Sequence, residues 1–201
     1  MSAKQKGLRV KKEDADGVKT WRNVIFWRNL LLYFVAFSYI GHFIEMGWAW
    51  FRHLVLGANL ATYVLAKPYE PYTVYGFGVV LVILIIRPLA KRFKDNIFAT
   101  FIISALVCSV LECVVSIILV WCYGRNPYWG YADRPFNLGG HIWIGNCLLF
   151  GLIATFFLKV IYPLTEKLLK RGNQIVINVV LAILVVMFVT YYFGQLMVLI
   201  K

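Results

Sequence analysis

Long apolar runs dominate this chain, and short polar intervals rich in Lys and Arg separate them. A helix that crosses a bilayer needs about 20 mostly apolar residues. Five runs are candidates, at residues 30–50, 74–88, 97–121, 141–163 and 174–200. The second is short, closes at Pro88 and has room to begin earlier, near Tyr72. Between the first two lies an apolar stretch at 53–66, too short to span, which reads as an interfacial or re-entrant helix. The pattern therefore predicts an all-α integral membrane protein with about five transmembrane helices. Residues 1–22 form a polar, basic tail, and 23–201 form the membrane domain.

Composition supports the same class. Of 201 residues, 61% are hydrophobic and only 15% charged, against about 45–50% apolar and 25% charged in soluble domains. A soluble fold of this length cannot hide so much apolar surface. The same numbers exclude disorder, a collagen-like repeat and a disulfide-stapled secreted module. The net charge of +12 would suggest nucleic acid in a soluble protein. Here its distribution explains it better. The N-terminal segment and alternate loops carry sixteen Lys and Arg residues, and the opposite side carries five. The positive-inside rule then places the N-terminus in the cytoplasm and the C-terminus outside. The first apolar run exceeds the 7–15 residues of a cleavable signal, and no small-residue cleavage site follows it. The chain thus calls for the lipid bilayer as partner and for no nucleic acid.

Within the spans, two carboxylates stand out, Glu45 and Glu112. A charge at mid-membrane costs at least roughly 2.5–3.5 kcal/mol. Each lies fifteen residues past the expected start of its span, which at about 1.5 Å per residue sets both in the outer half of the bilayer. Each also lies on a stripe of small or polar residues: Ser38, Gly41, His42 and Glu45 in one span, and Ser104, Cys108, Glu112 and Ser116 in the other. Such stripes face other helices or a cavity rather than lipid. The fourth span brings Asn146 to a similar level. Two readings follow. Either the acids, His42 and Asn146 form a site for a cation, a proton or an amine-bearing substrate, or each acid is protonated or hydrogen-bonded and locks helix packing.

The other concentration of polarity is the outer loop 121–140. Its Trp and Tyr residues suit the headgroup interface. Asp133 and Arg134 are adjacent, Pro135 stiffens the chain, and Asn137 precedes Gly139 and Gly140. Arg134 could counter the acids of the spans, bind a substrate carboxylate or phosphate, or pair locally with Asp133. The four cysteines, Cys108, Cys113, Cys122 and Cys147, form no C-x-x-C pair and read as small packing residues. No metal site or cofactor is called for, and no P-loop motif gives the chain an ATPase of its own.

Gly41-x3-Glu45, Tyr75-Gly76-Phe77-Gly78, Leu111-Glu112 and the run from Tyr131 through Ala132, Asp133, Arg134, Pro135, Phe136 and Asn137 to Leu138 resemble the ABC-transporter type IV family, the CmpB-like permeases. The resemblance covers residues 32–164, and the loop motif is its specific part. The chain departs from the family's pattern in lacking an aspartate near Gly130 and a serine near Ala132. It also has Gly139-Gly140-His141 where the family has asparagine-glycine-arginine, so a charge role at His141 becomes pH-dependent. The resemblance implies a permease partnered with a cytoplasmic ATPase. Five spans are few for a complete pore, which favours a homo-oligomer or a hetero-complex.

Three functions compete at this stage. A transport component fits the buried acids and aromatic loop, with Glu45, Glu112, His42, Asn146, Arg134, Asp133, Asn137 and His141 as candidate substrate- or ion-binding residues. A membrane-embedded enzyme acting on lipid has the right residue types for acid–base work, but no recognisable catalytic motif. A non-catalytic envelope protein would use the acids for packing alone.

Overall fold

A computed structural model describes residues 23–57, 70–126 and 129–199. The basic tail, and most of the stretch expected to be interfacial, lie outside the described residues. Five helices are long and apolar enough to cross a membrane. They are α1 (Val24–Leu56), α2 (Thr73–Arg92), α3 (Ile97–Tyr123), α4 (Ile144–Arg171) and α5 (Gln174–Leu199). Among the described residues, strand is confined to a small antiparallel hairpin of β1 (Asn137–Leu138) and β2 (Ile142–Trp143). The chain is an all-α multi-pass membrane protein. It divides into two compact units, one comprising the residues up to Gly76 with those from Ile175 onward, the other Phe77–Gln174.

In the first unit, α1 starts where Asn23 caps it, the side-chain oxygen accepting from the Ile25 N–H at 2.9 Å. It stops at Gly57, whose φ of 64° lets its N–H reach the Arg52 carbonyl. The first residues of the expected interfacial stretch, His53 to Leu56, thus continue α1. Ser38, Gly41, His42 and Ala49 lie buried along one face. The start of α2 lies close against that face because two glycines lack side chains there. A Cβ at Gly41 would overlap the Tyr75 ring, and one at Gly76 would overlap the Phe34 carbonyl oxygen and Ser38 Oγ. This is the small-residue contact by which membrane helices approach when water gives no driving force. The Tyr72 N–H donates to the Ser38 carbonyl at 2.8 Å. α5 attaches to the same unit through Tyr192, whose hydroxyl donates to the Pro71 carbonyl at 2.8 Å, and through Arg28, which donates to Asn178 at 3.1 Å. Phe188 adds an edge-on ring contact with Phe34, centroids 5.6 Å apart, and much of the remaining apolar surface of α5 is exposed, as suits a helix that faces lipid.

In the second unit, α3 packs along α4. Gly151 permits the approach: a Cβ there would come within 2.9 Å of the Phe101 ring and 3.0 Å of the Ala105 side chain. Thr100, Ser104 and Ser116 are buried on α3, extending by one residue the stripe read from the sequence. α4 begins three residues later than the hydropathy indicated, because 142–143 pair with 137–138 as strand. Gly139 and Gly140, with φ of 59° and 75°, make that reversal possible.

Both α2 and α4 contain a π-helical turn, Val82–Ile86 and Phe157–Ile161. Each ends two residues before a proline, Pro88 and Pro163. Proline has no N–H, and its ring crowds the carbonyl four residues back. In each helix the preceding residue bonds five residues back instead, Arg87 N–H to the Val82 carbonyl and Tyr162 N–H to the Phe157 carbonyl. The widened turn lets the helix continue past the proline.

Candidate functional site

Each unit holds a cluster of polar groups around a carboxylate of a span, built by the helix faces just described. In the first, Glu45 lies one turn past Gly41 on α1, and Tyr75 lies in the first turn of α2. The close approach at Gly41 and Gly76 brings them together, and the Tyr75 hydroxyl donates to Glu45 Oε1. His42 is 1% exposed, and neither ring nitrogen finds a hydrogen-bond partner among the described residues. Its ring meets Tyr72 edge-on, centroids 5.1 Å apart. Glu45 is therefore held by a tyrosine, and His42 is wedged among aromatic rings. Buried polar atoms without partners are few in folded proteins, and each needs an explanation.

The second cluster centres on Glu112 of α3. Its Oε1 accepts from the Tyr131 hydroxyl at 3.0 Å and from Asn146 Nδ2 at 3.2 Å. Asn146 Nδ2 also donates to the Tyr131 hydroxyl. Three separate segments thus meet at one carboxylate oxygen: α3, the loop between α3 and α4, and the first turn of α4. The other oxygen, Oε2, is shielded from solvent and has no partner among the described residues. An unsatisfied buried acceptor costs roughly 1–3 kcal/mol, more when charged, so this oxygen is fitted to receive a donor. Tyr131 lies outside the spans. Burial, and then the adjacent Glu112, hold its phenol well above the ordinary tyrosine range. It stays protonated, as a hydrogen-bond donor must.

A polar group adjoins this cluster one turn further along α3. Ser116 Oγ lies 2.9 Å from His141 Nδ1 and accepts from Asn126 Nδ2 at 3.0 Å. The loop that carries Tyr131 is shaped by its own backbone bonds. The Tyr131 N–H donates to the Gly140 carbonyl at 3.0 Å. Asn137 donates to the Arg134 carbonyl at 2.7 Å and accepts from the Gly140 N–H at 2.8 Å. Asn137 therefore closes the turn that holds Tyr131 in place. Asp133 and Arg134 are exposed. The Arg134 guanidinium lies 5.5 Å from the Trp143 ring centre, a cation–π contact, and has no carboxylate partner among the described residues.

The structure thus brings Glu112, Asn146 and Tyr131 together, and separately pairs His141 with Ser116. Tyr75, Tyr131, Ser116 and Asn126 were not singled out as site residues from sequence. The two tyrosines are hidden by the general enrichment of aromatics at the membrane interface. All four cysteines are free thiols. Among the described residues, no three of His, Cys, Asp and Glu gather into a metal-binding set.

The model of a protein family described as Putative ABC-transporter type IV matches residues 32–194. The match continues well into α5, beyond the region in which the motifs show the resemblance. No curated protein and no solved structure matches the chain.

Proposed function

The chain belongs to the Putative ABC-transporter type IV family, and on that footing we propose that it is a membrane-embedded transport subunit of the cell membrane, driven by a separate cytoplasmic ATPase. Its site for a cation or an amine-bearing substrate is the Glu112, Asn146 and Tyr131 cluster. The observation that carries the proposal is the shielded, unpartnered Oε2 of Glu112. Tyr131 and Asn146 saturate the first oxygen and fix the carboxylate's orientation, so the second is presented to an incoming N–H or O–H donor. An acid inside a membrane helix is a functional position by default, because hydrocarbon penalises it so heavily. Leaving one oxygen of a buried acid without a partner is costly, and a donor on a bound ligand would relieve that cost.

Glu45 with Tyr75 supplies a second hydroxyl–carboxylate pair, and the positive-inside orientation puts the loop of Tyr131 on the outer face. The test is uptake of a panel of radiolabelled amines and monovalent cations by cells making the wild-type chain or Glu112→Gln at matched membrane levels. At least one solute should be taken up by the wild type and lose that uptake in the variant. Identical uptake of every solute by the two would leave Glu112 with a packing role only.

A further inference from the structure

At the opposite end of α3 and α4 from Glu112 lies a cavity of about 620 Å³. Thr100 of α3 lines it, twelve residues before Glu112, a separation of about 18 Å along the helix. Six cationic side chains line it with only two acids. Asp95 pairs with Lys159 at 3.8 Å, and Glu166 with Lys170 at 3.7 Å. That leaves Arg87, Lys91, Lys167 and Arg171 without a carboxylate partner among the described residues. Four uncompensated cations around one concave space strongly favour an anion.

The wall between them is a second, independent feature. Arg87 and Tyr162 each stand immediately after a π turn and before a proline, and the Arg87 guanidinium lies 4.6 Å from the centre of the Tyr162 ring. Each helix is thus widened just before the residue it brings to this contact, and Arg87 and Tyr162 line the cavity together with Leu158 and Lys159 of the α4 turn. Such π turns are frequent at functional sites. Because Arg87 spends its planar face on the ring, its edge N–H groups remain available for an acceptor.

We infer that this cavity binds the headgroup phosphate of an anionic phospholipid from the cytoplasmic leaflet. The excess of Lys and Arg in the two loops concerned sets this end of the helices at the cytoplasmic surface. The volume falls within the roughly 300–1,000 Å³ of small-molecule sites, ample for a headgroup and more than a bare phosphate needs. Apolar Leu158 and Pro163 share the lining with the cations, and Leu164 and Leu168 are exposed alongside. A ligand with a charged head and an apolar tail satisfies both kinds of surface. Basic recesses between transmembrane helices on this face suit anionic headgroups.

The full-length protein would be purified in detergent, and retention of added phosphatidylglycerol measured by native mass spectrometry, with phosphatidylcholine as the neutral comparison. The pocket variant is Lys91→Gln with Lys167→Gln, both exposed lining residues. The control is Arg92→Gln with Lys94→Gln, an equal loss of charge nearby but outside the lining. In detergent there is no extended anionic surface, so only cations lining the cavity act on a bound headgroup; at roughly fivefold each, the pocket variant should weaken phosphatidylglycerol retention by about 25-fold. The control should retain it, and phosphatidylcholine should be unaffected throughout. Equal weakening by both variants, or by neither, would overturn the assignment. So would displacement of the lipid by millimolar inorganic phosphate, which would make free phosphate the ligand.

Discussion

Gly76 and Gly78 stand two residues apart in one helix, yet the structure gives them opposite roles. A Cβ at Gly76 would overlap the Phe34 carbonyl oxygen and Ser38 Oγ, and would lie 2.9 Å from the Phe34 ring. A Cβ at Gly78 would meet nothing within 4 Å. Each Gly→Ala change gains roughly 0.5–1 kcal/mol of helix propensity. That gain is common to both, so their difference isolates the packing. The Phe34 carbonyl belongs to the backbone of α1 and cannot turn aside like the end of a side chain. Relief requires the start of α2 to move away from α1. Overpacking of this kind costs about 1–3 kcal/mol. Gly78→Ala should match or slightly exceed the wild type in stability, and Gly76→Ala should fall about 1–3 kcal/mol below Gly78→Ala. At roughly 2–4 °C per kcal/mol for a chain of this size, thermal unfolding of the two purified variants in one detergent resolves the difference. Equal melting temperatures, or a lower one for Gly78→Ala, would refute the close helix contact that brings Tyr75 to Glu45.

Further outcomes follow from the second unit. Tyr131 holds its proton to a higher pH in the folded protein than the ordinary tyrosine value near 10. Between those two values the native state keeps a proton that the unfolded chain has lost, so stability falls as pH rises through the window. Unfolding midpoints measured from pH 9 to 11 should show that decline in the wild type and a shallower one in Tyr131→Phe; parallel curves would contradict it. Arg134→Gln should remove the contact over Trp143, at a cost of about 0.5–1 kcal/mol for an exposed cation–π pair. Denaturant unfolding followed by tryptophan fluorescence would measure it, and an unchanged midpoint would count against the contact.

Much of the architecture is legible in the sequence because hydrocarbon imposes a simple rule: twenty apolar residues cross it. Ser104 and Ser116, the two buried members of the stripe read on α3, were readable because small polar residues at four-residue spacing stand out in an apolar helix; Thr100, one step further back, was not. Other features left weaker marks. α1 begins at Val24, six residues before the apolar run, so counting from helix starts no longer sets Glu45 level with Glu112. The π turns fall in VILII and FLKVI, which differ little from the surrounding apolar sequence. Only the following prolines hint at them, and proline alone fits a simple kink equally well. Tyr131 carries no distinctive mark, because interfacial tyrosine already has an ordinary explanation. Its role depends on a fold of the loop that Asn137, Gly139 and Gly140 create together. Asp133 and Arg134 drew attention by their charge, whereas the buried contacts of that loop come from its neutral residues.

The most direct test of a transport subunit driven by a cytoplasmic ATPase is a pull-down of the tagged full-length chain from its native membrane under mild detergent, with ATP hydrolysis measured on the eluate. Co-purification of a nucleotide-binding subunit, with hydrolysis absent from a mock preparation, is the predicted result. Recovery of the intact chain with no ATP-hydrolysing partner, under conditions that preserve other membrane complexes, would contradict it.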